Sequence, residues 1–292
     1  MKMKEGLFVS ILIGLTGWGD HDSLYMEKGA TRRKLEVYSS HFPVVEVDSA
    51  FYAIQTPSNY EKWVSQTPKD FSFVIKAHQS MTGHDRSTMT NQQAKELFKA
   101  YIDSIQPVIQ AKKLNAILFQ FPPWFDLNQK HIQKLRKIKS LMPDLPLALE
   151  FRNQSWFKDE NRSATLQFMK EEGWIHSICD EPQAEEGSVP LVLESTSDLK
   201  TLVRFHGRNV HGWNRNGRDD WREVRFLYDY NETELKEWVS NIKQLQKDTK
   251  EITVLFNNNS GGHAAGNAKQ LIELLNITYD NLNPKQMDIF HF

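Results

Sequence analysis

The sequence predicts an α/β protein built as one (β/α)8, TIM-like barrel. Three observations predict it: eight short apolar runs recur along the chain, nearly all alternate with amphipathic helical segments, and most of them end in charged or amide side chains. All strands of a parallel barrel finish on one side, so residues far apart in sequence would meet at one mouth.

The first run, Leu7 to Gly14, enters a glycine-rich turn, T-G-W-G-D-H-D, that carries Trp18, Asp20, His21 and Asp22. A helix over Arg32 to Phe42 is stopped by Pro43. The second run, V-V-E-V-D-S-A-F-Y, places Glu46 and Asp48 two residues apart, and Pro57 to Gln66 forms the next helix. Phe71 to Ala77 is the third strand, with Lys76 near its end and a polar loop through Thr82, Gly83 and His84. Thr90 and Gln93 make a capping-box pattern ahead of Ala94, Leu97, Phe98, Tyr101, Ile105 and Ile109 at helical spacing. Ala116 to Phe121 is the fourth strand, ending in Gln120 before two prolines, and Ile132, Leu135, Ile138 and Leu141 mark the helix behind it.

The fifth run, L-A-L-E-F-R-N-Q-S-W, carries Glu150 and Arg152 on one face and ends at Trp156, with a helix from about Ser163 to Gly173. Trp174 to Asp180 is the sixth strand. From Glu181 to Thr201 the pattern is poor, so an irregular or missing sixth helix is expected. Leu202 to Gly207 repeats the charge-x-charge ending with Arg204 and His206, followed by a long loop through Trp213 and a helix capped by Asn231 and Glu234. The eighth run, I-T-V-L-F-N-N-N-S-G-G, leads through Asn257, Asn258, Asn259, Gly261 and Gly262 into a helix over Ala264 to Leu275. Residues 1–292 read as a single domain, with a short extension over 1–10 and a tail over 279–292 whose aromatics pack back across the base.

The 292 residues are 39% hydrophobic and 25% charged with a net charge of -1, the composition of a soluble globular protein. That balance advertises neither nucleic acid nor an acidic membrane surface, though it leaves room for a local basic patch. No run reaches the length of a membrane span. The start imitates a signal peptide, but Glu5 interrupts its basic flank and no small-x-small cleavage site follows. A single cysteine, Cys179, forms no internal disulfide and suits a cytoplasmic setting; its place beside Asp180 predicts that it faces the helices.

I-G-L-T-G-W-G, V-D-S-A-F-Y, W-V-S-Q-T-P-K-D-F-S-F-V-I-K-A, F-Q-F-P-P, L-E-F-R-N-Q-S-W, R-F-H-G and L-F-N-N-N with the later G-N-A stand in one order along nearly the whole chain. In this they resemble the domain of unknown function 72 family, the YecE/YunF-like proteins, and the G-D-H-D turn places the likeness in the YunF-like branch. The resemblance implies a TIM-like barrel and no settled activity.

At the predicted mouth, Glu150, Asp48, His206, Asp180 and Glu46 are the candidate proton handlers, with His206 closest to neutrality in its ordinary titration. Arg152, Arg204 and Lys76 are candidate anion holders, with Gln120, Asn257, Asn258, Asn259, Gly261 and Gly262 as further contacts and the last loop as a phosphate cradle. Trp18, Tyr52 and Trp156 would wall a pocket, or pack in the core. The expected function is acid-base hydrolysis, isomerisation or elimination on a small anionic compound, with no cofactor. Three alternatives stay open: a non-catalytic module binding a phosphorylated ligand or nucleic acid; a divalent metal on Glu150, Asp180 and His206, opposed by the basic residues beside it; and buried ion pairs such as Glu150 with Arg204, serving structure alone. Oligomeric state is not legible.

Overall fold

The structure, a computed structural model, describes residues 9–285 apart from 28, 185, 186, 215, 216 and 218. Eight parallel strands close into a barrel in chain order: β1 (Ser10–Thr16), β2 (Val44–Val47), β3 (Ser72–Lys76), β4 (Leu114–Gln120), β5 (Leu147–Glu150), β6 (Ile175–Asp180), β7 (Lys200–Phe205) and β8 (Glu251–Phe256). Around it lie α1 (Lys34–Tyr38), α2 (Pro57–Ser65), α3 (Gln79–Thr82), α4 (Asn91–Gln110), α5 (Gln129–Leu141), α6 (Asp159–Glu171), α7 (Val210–Trp213), α8 (Trp221–Val224), α9 (Glu232–Leu245) and α10 (His263–Leu274). Among the described residues between β6 and β7 no helix forms, as the broken pattern there foretells. None of the described helices is long and apolar enough to cross a membrane.

Strand alternation divides the apolar residues into two cores. Leu12, Val44, Val74, Ala116, Leu118, Ala148, Ile175, Leu202 and Leu255 fill the barrel interior. The larger set lies between strands and helices, where Phe98, Tyr101, Ile105 and Val108 of α4 are buried. Both expected capping boxes form, Thr90 with Gln93 and Asn231 with Glu234, satisfying backbone donors at the starts of α4 and α9.

The first strand runs later than the sequence suggests, and Gly14 lies inside it. Gly14 is a point of close approach between strands: a Cβ there would stand 2.0 Å from Val44 O of β2. Residues 1–8, most of the expected extension, lie outside the described residues. The described part of the tail does fold back, with Tyr279 OH donating to Ile11 O (3.1 Å) and accepting from Ile13 N (3.0 Å). Asn283 binds the carbonyls of Glu36 and Gln66 and the Ser39 hydroxyl.

Because the atom that a methyl group would strike is backbone, Gly14→Ala is expected to destabilise the fold by about 3 kcal/mol or more, at or beyond the upper end of ordinary overpacking. Thermal unfolding measures it, and a melting temperature equal to wild type would show that β1 and β2 can separate without loss.

Candidate functional site

Above the apolar interior layer, the inward positions become charged. Arg204 crosses the barrel, donating Nε (2.9 Å) and Nη2 (2.7 Å) to the two oxygens of Glu46 and Nη1 (2.8 Å) to Glu150 Oε2. Arg152 donates Nη1 to Glu181 Oε2 (2.6 Å), and its Nη2 lies 2.7 Å from Glu150 Oε1. That Nη2 donates to His206 Nε2 (2.9 Å), and its contact with Glu150 is an ion pair outside hydrogen-bond geometry. Three carboxylates and two guanidinium groups thus form a continuous buried chain, and the side chains of Glu46, Glu150 and Glu181 are sealed from solvent.

The neighbours decide the charge of each member. Burial favours the neutral form of Glu150, but the charges of Arg152 and Arg204 outweigh it and hold the carboxyl well below its ordinary value. His206 is pushed well down by burial and by both arginines. Guanidinium donors from Arg152 and Arg204 converge on its Nε2, so that atom carries the lone pair and Nδ1 the proton. The Asn257 carboxamide, whose nitrogen is placed 2.9 Å from Nδ1, complements this tautomer when its oxygen takes that position. Glu181 is raised to about 7, by burial against the opposing pull of Arg152 and the Val189 amide.

One side of the mouth is covered. The chain after β7 lays Trp213 and Phe226 over His206, with ring centroids 6.5 and 6.0 Å away, and Trp213 also lies 5.8 Å from the Arg152 guanidinium. Arg225 stacks between Trp213 (4.1 Å) and Trp221 (4.8 Å), and the Trp213 indole donates to Gly187 O. The other side is open: Asp48 is 35% exposed and receives a 2.8 Å hydrogen bond from Lys76, while Gln120 and Asn257 are half-buried.

The structure brings Glu46, Asp48, Lys76, Gln120, Glu150, Arg152, Arg204, His206 and Asn257 together around one mouth. On β6 the sequence reading is corrected. Inward positions there are Ile175, Ser177 and Cys179, so Asp180 points out to Arg208 (2.8 Å) and the Trp238 indole, leaving the proposed Glu150, Asp180 and His206 metal set without one member. Cys179, expected to face the helices, instead joins Glu150 and His206 with donor atoms within 4.8 Å of one another. Both arginines already bridge Glu150 and His206, and their charges oppose a cation among these three. Glu181 escapes the sequence pattern because it lies one residue beyond the apolar run; its position two after Cys179 is the available signal.

Trp156 is core: it stacks on Phe151 at 4.1 Å outside the barrel and donates to Phe125 O. Trp18 leans on Trp63 of α2, whereas Tyr52 is 66% exposed at the open edge. Asn258 turns away from the mouth to Tyr228 O and Asn267. Gly262 caps α10 in a left-handed conformation, but the groove beside Asn259 and Gly261 also holds Asp20 and Glu223, which disfavours phosphate there.

A family model described as a protein of unknown function, DUF72, matches residues 12–288. The UPF0759 protein YunF of Bacillus subtilis (strain 168) is 55% identical over 281 residues, 96% of this chain and 100% of its own. The crystal structure of a DUF72 family protein from Enterococcus faecalis V583 superposes with a TM-score of 0.87 at 39% identity, covering 95% of this chain and 100% of its own. Another, from Thermotoga maritima MSB8, gives 0.78 at 28% identity, covering 92% and 100%. With the family model matched over nearly its whole length and its barrel shared with solved members, the chain belongs to the DUF72 family.

Proposed function

We propose that this protein is an enzyme that performs acid-base chemistry on a small polar anion at the open side of the barrel mouth. The observation that carries the reading is the contrast between the two sides. Beneath the cover, Glu46, Glu150, Arg204 and His206 bind one another, leaving Glu150 and His206 to orient Arg152. At the open edge, Asp48 and Lys76 form a close pair within reach of solvent, beside a Gln120 amide that has no hydrogen-bond partner among the described residues.

In this reading Lys76 holds the anion, Gln120 orients it, and Asp48 accepts or returns a proton while Lys76 stabilises the charge that develops; Arg152, buried on its carboxylates, contributes its charge from beneath. Hydrolysis, isomerisation and elimination all need these roles. The buried, unpaired thiol of Cys179 fits a cytoplasmic setting.

Incubating the protein with phosphorylated and carboxylated metabolites, followed by mass spectrometry, tests the reading. Asp48→Asn and Lys76→Met are expected to lower turnover by about 10²–10⁴-fold with near-native melting temperatures, as general acid-base groups do. Undiminished turnover in both variants would remove the chemistry from this edge, and capture of a metabolite without conversion would make the protein a binding module.

Glu181 gives a pH signature. The folded protein retains its proton up to about 7, whereas an unfolded carboxyl has released it by then, so this group lowers stability as pH rises between those values. His41, His84 and His176, each depressed to about 4 chiefly by burial, act oppositely, and their contribution is lost as pH falls from 6.5 towards 4. Glu181→Gln should therefore gain stability relative to wild type between pH 5 and about 8. A gap that does not change with pH would show that Glu181 does not titrate there.

A further inference from the structure

The loop after β3 carries a second histidine at the mouth. The Thr82 hydroxyl donates its proton to Gln79 O (3.1 Å), so its oxygen, 2.8 Å from His84 Nδ1, accepts the imidazole proton. This fixes the tautomer: Nε2 carries the lone pair, and no described residue bonds to it. The ring is held edge-on to Phe51 (4.9 Å) and Trp124 (6.1 Å), and Lys76 Nζ lies 4.7 Å from the Phe51 ring.

Lys134 reaches the same place from α5. Its ammonium lies close enough to Gly83 that a Cβ there would meet Nζ at 3.1 Å, with the rings of Phe121 (5.7 Å) and Phe125 (5.9 Å) beside it. Neither a carboxylate nor a carbonyl among the described residues hydrogen-bonds it, and burial lowers its pKa. The charges bearing on His84 are Lys76 from β3, Arg152 from the turn after β5, Lys134 from α5 and, opposing them, Asp85 of its own loop. Of the three cations, Lys76 and Arg152 have carboxylate partners.

We propose that His84 and Lys134, with Lys76, form a subsite for the phosphoryl group of the substrate. This rests on the reading of the mouth as an anion site and narrows it. A planar carboxylate suits one guanidinium fork, whereas cations reaching in from separate elements suit a tetrahedral group with several charged oxygens. An imidazole lone pair asks for a donor, and a singly protonated phosphoryl group supplies one hydroxyl. Burial chiefly keeps His84 neutral and the neighbouring cations add to it; a bound anion offsets their repulsion, so binding and proton uptake are coupled.

NMR of the imidazoles in the full-length protein, titrated with inorganic phosphate and with acetate as a comparison, tests the subsite. Free His84 should titrate at about 4 and rise by about one unit or more under saturating phosphate, with a smaller response to acetate. Lys134→Met, which keeps the apolar stem, should weaken phosphate at least about tenfold, the scale of one charge-assisted hydrogen bond. Phosphate that shifts the Gln120 or Asn257 amides and leaves His84 unmoved would overturn the subsite while sparing the anion reading. Phosphate that shifts no mouth residue would overturn both. The wild-type titration decides the matter even if the variant fails to fold.

Discussion

The barrel mouth depends on one guanidinium group. Arg204 on β7 holds Glu46 on β2 by two hydrogen bonds and Glu150 on β5 by a third, tying three separated strands across the interior. A buried ion pair returns little net stability, because desolvating its members offsets their attraction. Its stronger effect is on arrangement: once these charges are enclosed, each has only a few positions in which it is satisfied. Glu150, Arg152 and His206 inherit their orientation from that restriction.

An electrostatic asymmetry follows. Under Trp213 and Phe226 the carboxylates and guanidinium groups balance locally, and His206 is locked as a neutral acceptor. Toward β3 and β4 the balance is incomplete, since among the described residues Lys134 has no anionic partner in contact and no group bonds to the His84 lone pair. A closed side that fixes geometry and an open side with unmet electrostatic demand together give the mouth a direction of approach.

Much of this was legible because strand alternation is strict. Glu46 and Asp48, Glu150 and Arg152, and Arg204 and His206 each reveal a shared face by their spacing, and one closed barrel brings those faces together. β6 defeated the same logic. In W-I-H-S-I-C-D the polar residues His176, Ser177 and Asp180 fall on both faces, so the final acid was assigned inward when Cys179 and then Glu181 occupy that side. Trp156, Trp18 and Asn258 show another limit: a position after a strand does not say whether a side chain turns over the mouth or back into the layer beneath the helices. His84 and Lys134 carried no motif, since their meeting depends on where a loop and a helix pack.

The interval between β6 and β7, where the described residues form no helix, instead sends a carbonyl and an amide inward: Gly187 O receives the Trp213 indole, and Val189 N binds Glu181. The lapse in the regular outer ring is thus the scaffolding for the roof over the mouth. Restoring symmetry there by grafting in a standard helical crossover would remove the props from beneath Trp213 and unmoor Glu181 in the same stroke.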